Sequence, residues 1–444
     1  MRKWGSLMNK HQPYDLKQMQ SLPLEAKERM STERIRVWFE SWNKYTIYNS
    51  KTKKTRFVTH NEEPNENGCF TKKRRKINGE YVEVEVLVKG TKLKPGEYIE
   101  AVSDGQVYVS FSGGKDSTVL ADVCARFCKR YGYGLYLLFV NTGLEYPEIQ
   151  KFVKTFAEWL RNTYSIDVQL VTLRPEMSFV DVLKTYGYPA VSKEVSNTIS
   201  GAKNSIRKGV YSLRICKLGV SRNEYGGLHD DGMFDYERTL ANSMYRQDKW
   251  RFLIDADFDV SSYCCDVMKK NPTKKFEKDT GRKPIIGTMA WESQNRRTAW
   301  IRHGCNAFDG ERPSSQPLSF WTEQDILHYI KKYNVPYCSV YGDIHVKPPE
   351  DAEEGQINAI DYLGCYEPED TLETTGCSRT GCIFCMFGCH LEKEPNRFQR
   401  LKETHPRQYE YCIGGGEMVD GKWQPNKEGL GLGKVLDYIG VKYD

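Results

Sequence analysis

From Val107 onward, short apolar stretches alternate with amphipathic ones, and this alternation constrains the fold more than any other feature of the chain. VYVSF (Val107 to Phe111), LYLLFV (Leu135 to Val140) and DVQLVTL (Asp167 to Leu173) read as strands. Between them, STVLADVCARFCKRYG (Ser117 to Gly132) and PEIQKFVKTFAEWLRNTY (Pro147 to Tyr164) read as helices, the second opening on a proline. Strands that are apolar throughout must be buried on both faces. Such strands separated by helices imply a mainly parallel, doubly wound sheet of the α/β class. KPIIGTMAW (Lys283 to Trp291) is a further strand candidate, and WTEQDILHYIKKYN (Trp321 to Asn334) a helix capped by Thr322 and Asp325.

The first strand-to-helix joint carries SGGKDS, Ser112 to Ser117. In a parallel sheet, ligands sit beyond the carboxyl ends of the strands, against helix N-termini. Gly113 and Gly114 allow backbone N–H groups to form a concave anion site, which the helix dipole reinforces. Ser112, Ser117 and Thr118 add hydroxyls, and Lys115 adds positive charge. Asp116 would repel a bare phosphate, so it is expected to orient a donor or meet a metal ion. The spacing differs from the G-x-x-x-x-G-K-[ST] loop of kinases and GTPases. The alternative, a glycine-rich turn without a ligand, leaves six polar or glycine residues unused at a costly position.

The chain has 444 residues, more than one compact core usually holds. Residues 1–44 are expected to be helical, with LEAKERMSTERIRVWFESWNK at 24–44 capped at Ser31. Residues 45–104 read as a small β-rich insert. There KKRRK (Lys72 to Lys76) is either a solvated hairpin tip or a contact for an anionic partner. Residues 105–345 are expected to form the nucleotide-binding α/β domain, and 346–444 a Cys-rich C-terminal region that begins with an acidic loop, PPEDAEEG. Net charge is +6, compatible with anionic ligands but too mild to point to nucleic acid by itself. No apolar run approaches a membrane span and the N-terminus lacks a signal-peptide core. The expectation is a cytoplasmic protein whose 14 cysteines are thiols or metal ligands.

SFSGGKDS (Ser110 to Ser117) resembles the PP-loop signature of the ATP-pyrophosphatase and PAPS-reductase superfamily. Four more stretches resemble the PAPS-reductase branch in chain order. They are FVNTGLEYPE (Phe139 to Glu148), YGYPAVSKE (Tyr186 to Glu194), GTMAWESQNRR (Gly287 to Arg297) and PLSFWTEQDILHYIKKYNVPY (Pro317 to Tyr337). The resemblance spans roughly residues 105–390 and implies an adenine nucleotide α-hydrolase-like fold. It implies that Ser110, Ser112, Gly113, Gly114, Lys115, Asp116, Ser117, Asn141, Thr142, Gly143, Glu145, Gly287, Glu292, Arg296 and Arg297 bind an adenine nucleotide, either ATP with Mg²⁺ or APS/PAPS. Asn141 replaces the family's usual Asp, and Met289 stands where the family often has Arg. One anion contact is therefore missing or supplied elsewhere.

The cysteines form two groups. Cys264 and Cys265 are adjacent, and Cys377, Cys382, Cys385 and Cys389 follow far downstream. The Cys382-x-x-Cys385 spacing suits one metal centre. Resemblance to iron–sulfur APS reductases implies Cys264, Cys265, Cys382 and Cys385 as [4Fe–4S] ligands. Comparison with the DNA phosphorothioation subunit would let Cys377 or Cys389 replace one of the pair, and zinc held by the four downstream cysteines is the rival. The reductases' C-terminal Glu-Cys-Gly-Leu-His is absent, and Cys412 is the nearest substitute nucleophile, with a bland core or surface thiol as the alternative.

Three functional expectations follow. The first is an ATP pyrophosphatase with Lys115 and Asp116 at the reacting phosphates, coupled to sulfur transfer onto an acceptor that includes nucleic acid among its candidates, and needing a sulfur donor. The second is an APS/PAPS reductase that releases sulfite with a thiol reductant. The third is a non-catalytic nucleotide sensor.

Overall fold

The computed structural model describes residues 11–42, 44–59, 69–77, 80–88, 95–103, 106–230, 245–308, 312–347 and 370–444. The acidic loop expected at 348–355 and the turn residues 78–79 lie outside them. The chain divides into two compact units. The first comprises residues 1–140, 146–173 and 275–380, and the second 141–145, 174–274 and 381–444.

The first unit is built on a six-stranded sheet. Its strands are β1 (Val107–Ser110), β2 (Leu135–Val140), β3 (Val168–Leu173), β4 (Lys283–Ile286), β5 (Asn306–Ala307) and β6 (Ser314–Ser315). They run in the order β5-β6-β4-β1-β2-β3. Every pairing is parallel except β5 with β6 at one edge. The order reverses at β1, which lies between β4 and β2, so the loop leaving β1 opens where a doubly wound sheet offers a crevice.

Helix α1 (Leu24–Ser41), α2 (Lys115–Tyr131), α3 (Pro147–Tyr164), α4 (Gln294–His303) and α5 (Glu323–Tyr333) also belong to this unit. Ile35, Trp38 and Phe39 of α1, Val119, Leu120 and Val123 of α2, and Ile149, Val153 and Phe156 of α3 share one core with the strands. Cys124 and Cys128 are part of that core. Asp122 is fully buried in α2, yet Tyr164 and Tyr329 donate to it at 2.6 and 2.7 Å and Arg126 at 2.8 Å, so its charge is matched.

Ser31 is not an N-cap. Helix α1 begins at Leu24 because LEAKERM consists almost wholly of strong helix formers. Ser31 instead lies mid-helix and ties the helix to the loop before α5. It donates to the Pro317 carbonyl at 2.8 Å and accepts from the Trp321 indole N–H at 2.9 Å. Helix α5 opens with the expected capping box, Thr322 accepting from the Asp325 amide and Asp325 from Thr322. The Lys27 ammonium secures Asp325 at 2.7 Å.

Strands Lys54–Thr59, Lys44–Asn49 and Glu97–Ser103 form a three-stranded antiparallel sheet in that order. Cys69–Ile77 pairs with Glu80–Val88 as a hairpin in which Lys72 stands opposite Glu85, so Lys72 to Lys76 lie within a strand.

The second unit is mainly helical, with Phe179–Tyr186, Lys193–Arg207, Leu213–Lys217, Arg397–Thr404, Pro406–Ile413 and Leu432–Tyr438. Ser178 and Ser192 cap the first two by accepting from the Asp181 and Val195 amides. Directly after Cys264 and Cys265 the backbone winds into one π-helical turn, Asp266–Lys270. Such insertions re-aim side chains.

Candidate functional site

The first unit places SGGKDS at the carboxyl end of β1, with Gly114 as N-cap of α2. Gly113 has φ +74, and a Cβ there would stand 2.9 Å from the Ile149 methyl, so both conformation and packing demand glycine. Ser117 Oγ accepts from the Ser112 amide at 3.2 Å and lies 3.0 Å from Ser112 Oγ, which closes the turn. Ser117 and Thr118 hydroxyls both donate to the Gly114 carbonyl. Ser110 is held in β1 between Leu138 and Ile286, and Gly287 lies against the Asp116–Ser117 backbone.

Lys115 is only 3% exposed. Its ammonium donates to the Ser378 carbonyl at 2.9 Å and pairs with Glu323 at 3.0 Å, with Asp116 at 3.5 Å. Its backbone N–H donates to the Tyr341 hydroxyl at 3.0 Å, which lies 2.8 Å from Thr380 Oγ1. Asp116 Oδ1 is buried without a hydrogen-bond partner. Burial pushes the Asp116 carboxyl up, opposed by the Lys115 and Arg379 charges.

Glu292 and Arg296, expected from sequence, do meet beside this loop. The Glu292 carboxylate accepts from the Met289 amide at 2.8 Å and from both Arg296 and Arg379. Burial draws the Arg296 guanidinium down, and the neighbouring Arg379 charge adds to this. Met289 is 2% exposed and offers the site nothing but its backbone. Arg297 makes no ion pair among the described residues. Tyr341, Glu323, Ser378, Arg379 and Thr380 were not found from sequence. Ser378, Arg379 and Thr380 lie between Cys377 and Cys382, where only the cysteines carry a spacing signal.

The second unit holds the remaining candidates. Asn141 Oδ1 accepts from the Gly143 amide, while the Thr142 amide and hydroxyl both donate to Glu145, at 3.0 and 2.7 Å. Glu145 thus builds this loop from within. Cys264, Cys265, Cys382 and Cys385, drawn from two distant stretches, line one small cavity with Leu144, Met268, Lys269 and Phe384. The Ile383 amide donates to the Leu144 carbonyl at 2.8 Å and fixes the Cys-x-x-Cys turn there.

Two lysines face these sulfurs. Hydrogen bonding from Cys264 lowers the Cys265 thiol below its usual value, with help from Lys193 and Lys269 against the opposing effect of burial. Burial works against the Lys269 charge, but Cys382, Glu145 and Cys265 together raise its pKa. Lys193 and Glu194 do not pair with each other; Glu194 lies 3.7 Å from Lys217. Among the described residues no three His, Cys, Asp or Glu side chains converge tightly enough for a single metal ion.

The other downstream cysteines do not line the cavity. Cys377 belongs to the first unit, its sulfur 3.9 Å from the Tyr146 hydroxyl, and Cys389 donates to the Met386 carbonyl at 2.9 Å. Cys412 is fully buried in helix Pro406–Ile413 and burial pushes its thiol far up. A thiol without access or thiolate character is a poor nucleophile, so the expectation of catalysis at Cys412 is withdrawn on those grounds.

No curated protein sequence matches the chain. A solved structure, the U34-tRNA thiolase NcsA from Methanococcus maripaludis with its [4Fe-4S] cluster, is similar over 58% of this chain at 14% identity and a TM-score of 0.25. The similar region spans 64% of that protein, less than two thirds of its length. The family model for the phosphoadenosine phosphosulfate reductase domain matches residues 106–208 and 234–386. The match takes in the β1 loop, the Glu292 cluster and all four cavity cysteines, over more than half of the chain, and the protein belongs to the phosphoadenosine phosphosulfate reductase domain family.

Proposed function

We propose that the protein binds ATP on the SGGKDS loop, adenylates an acceptor and couples this to sulfur transfer. The observation that carries the reading is the joint at the switch point of the sheet, where Gly113, Gly114 and the N-terminus of α2 adjoin the buried Lys115 ammonium and the Gly114 and Lys115 amides meet only hydroxyls, of Ser112 and Tyr341, that a phosphate can replace. Helix N-termini of this kind favour phosphate. In the proposed reaction an acceptor oxygen bonds to the α-phosphorus. The bond to pyrophosphate breaks, and pyrophosphate leaves with the electron pair. Lys115 and the loop amides stabilise charge that develops on the phosphate oxygens. A reduced sulfur nucleophile from a donor then displaces AMP from the adenylated acceptor.

Asp116 Oδ1, which meets the Lys115 ammonium at 3.5 Å but accepts no hydrogen bond, fits a hard divalent cation such as Mg²⁺. Cys264, Cys265, Cys382 and Cys385 line one cavity and are a sulfur donor set that would hold a [4Fe–4S] cluster. Bound there, a cluster supplies iron able to hold and release sulfur. Lys193 and Lys269 balance the negative charge of the thiolates. The acceptor class includes nucleic acid. The sulfonucleotide-reductase alternative needs an accessible late cysteine, and burial of Cys412 counts against it.

Anaerobically purified protein given labelled ATP should release pyrophosphate, and Lys115→Ala should lower the rate by about 100-fold or more. Sulfite release from APS or PAPS with thioredoxin, without pyrophosphate from ATP, overturns the reading.

A further inference from the structure

Glu292 is a carboxylate shared by two guanidiniums. Its side chain is 5% exposed, and both Arg296 and Arg379 bond to it. One carboxylate cannot fully match two guanidiniums, so each is only partly satisfied by Glu292. Arg379 is the outer member, with 57% of its side chain exposed, whereas Arg296 is 39% exposed. Asp116 interacts electrostatically with both arginines, which places the two guanidiniums beside the first turn of α2.

The backbone on either side of Arg379 is held against the same loop. The Ser378 carbonyl accepts from the Lys115 ammonium, and Thr380 Oγ1 lies 2.8 Å from the Tyr341 hydroxyl that meets the Lys115 amide. A Cβ added at Gly114 would stand 2.9 Å from Thr380 Oγ1, so no larger residue fits under this segment. Ser378, Arg379 and Thr380 therefore clasp the loop and set Arg379 at its rim. An exposed guanidinium with half a carboxylate partner, held in place by its neighbours, is suited to accept a second anion in bidentate fashion.

We infer that Arg379, with Arg296, binds the distal anionic group of an anhydride-linked nucleotide, either a polyphosphate or a phosphosulfate, while the loop amides take the proximal phosphate. The role rests on the nucleotide reading above and adds a residue and a selectivity to it. Glu292 keeps both guanidiniums aimed without cancelling them. The buried Met289 side chain carries no charge and its sulfur meets the Trp291 indole, so Arg379 supplies the cation from a separate stretch of chain.

The test is calorimetric titration of the full-length protein with AMP, ATP and APS. Arg379→Ala should weaken ATP or APS by about 10- to 100-fold and leave AMP, which has no distal group, unchanged. Arg379→Lys should recover part of the loss. The ligand that suffers identifies the anhydride, polyphosphate if ATP, phosphosulfate if APS. Equal affinities for Arg379→Ala and unsubstituted protein, or an equal loss for AMP, overturn the assignment. Lys115→Ala separates the two claims. If it weakens all ligands while Arg379→Ala weakens none, the loop reading stands and the Arg379 role falls. If the unsubstituted protein binds no nucleotide, both fall.

Discussion

Asp116 places a carboxylate oxygen where no hydrogen bond reaches it, and this has a measurable cost. Burial holds its carboxyl above the ordinary value, so the folded protein binds that proton more tightly than the unfolded chain does. The ionised form therefore destabilises the fold. The penalty is fully present above the raised folded-state value, and it fades as pH falls towards the unfolded value. Asp116→Asn should accordingly raise the melting temperature at neutral pH, with the gain shrinking on acidification, and should abolish pyrophosphate release. A melting temperature that drops at neutral pH would mean the carboxylate is a net stabiliser. Lys115 and Asp116 were singled out by residue type and spacing, because glycine, charge and hydroxyl on a strand-to-helix joint have few other uses, and Glu292 by the resemblance of GTMAWESQNRR. Tyr341, Ser378, Arg379 and Thr380 were not. Their contribution is tertiary, and one of them acts through a backbone carbonyl that carries no side-chain signature.

At the level of elements, the alternation of strand and helix was readable because fully buried strands must be apolar from end to end. Helix α1 was expected over 24–44 and runs Leu24–Ser41, and only its cap was misplaced, since Ser31 advertises a cap while its hydroxyl serves a distant carbonyl and indole. The π-helical turn after Cys265 left no trace in the sequence, because a single extra residue in a helical ladder does not alter the apolar pattern. Among the cysteine elements, Cys382→Ser or Cys385→Ser should remove most of the iron and the charge-transfer absorption of anaerobic protein. Cys389→Ser and Cys412→Ser should retain both, since one thiol bonds to a carbonyl and the other is sealed in its helix. Loss of iron in Cys389→Ser with retention in Cys382→Ser would overturn the proposed ligand set.

Over the whole chain, the two units do not follow the linear order of the sequence. A reading that proceeds from end to end divides the chain at changes of composition, and so cannot see that Asn141–Glu145 and residues 381–444 belong to one unit while the stretches between them are shared out. The described residues contain no helix long and apolar enough to cross a membrane. Each unit should answer to its own ligand. In hydrogen-exchange measurements ATP should slow exchange at Gly114 to Thr118. Removal of metal by a chelator should speed exchange around Ile383 to Cys385, whose turn hangs on one backbone bond to Leu144. Protection at both places by ATP alone would contradict this division of labour.

Cys264 and Cys265 meet Cys382 and Cys385 across more than a hundred residues of sequence. During synthesis the first pair emerges from the ribosome long before the second exists. A centre held by all four thiols can be inserted only after Cys385 has been made, so the early pair must wait, reduced, for its partners.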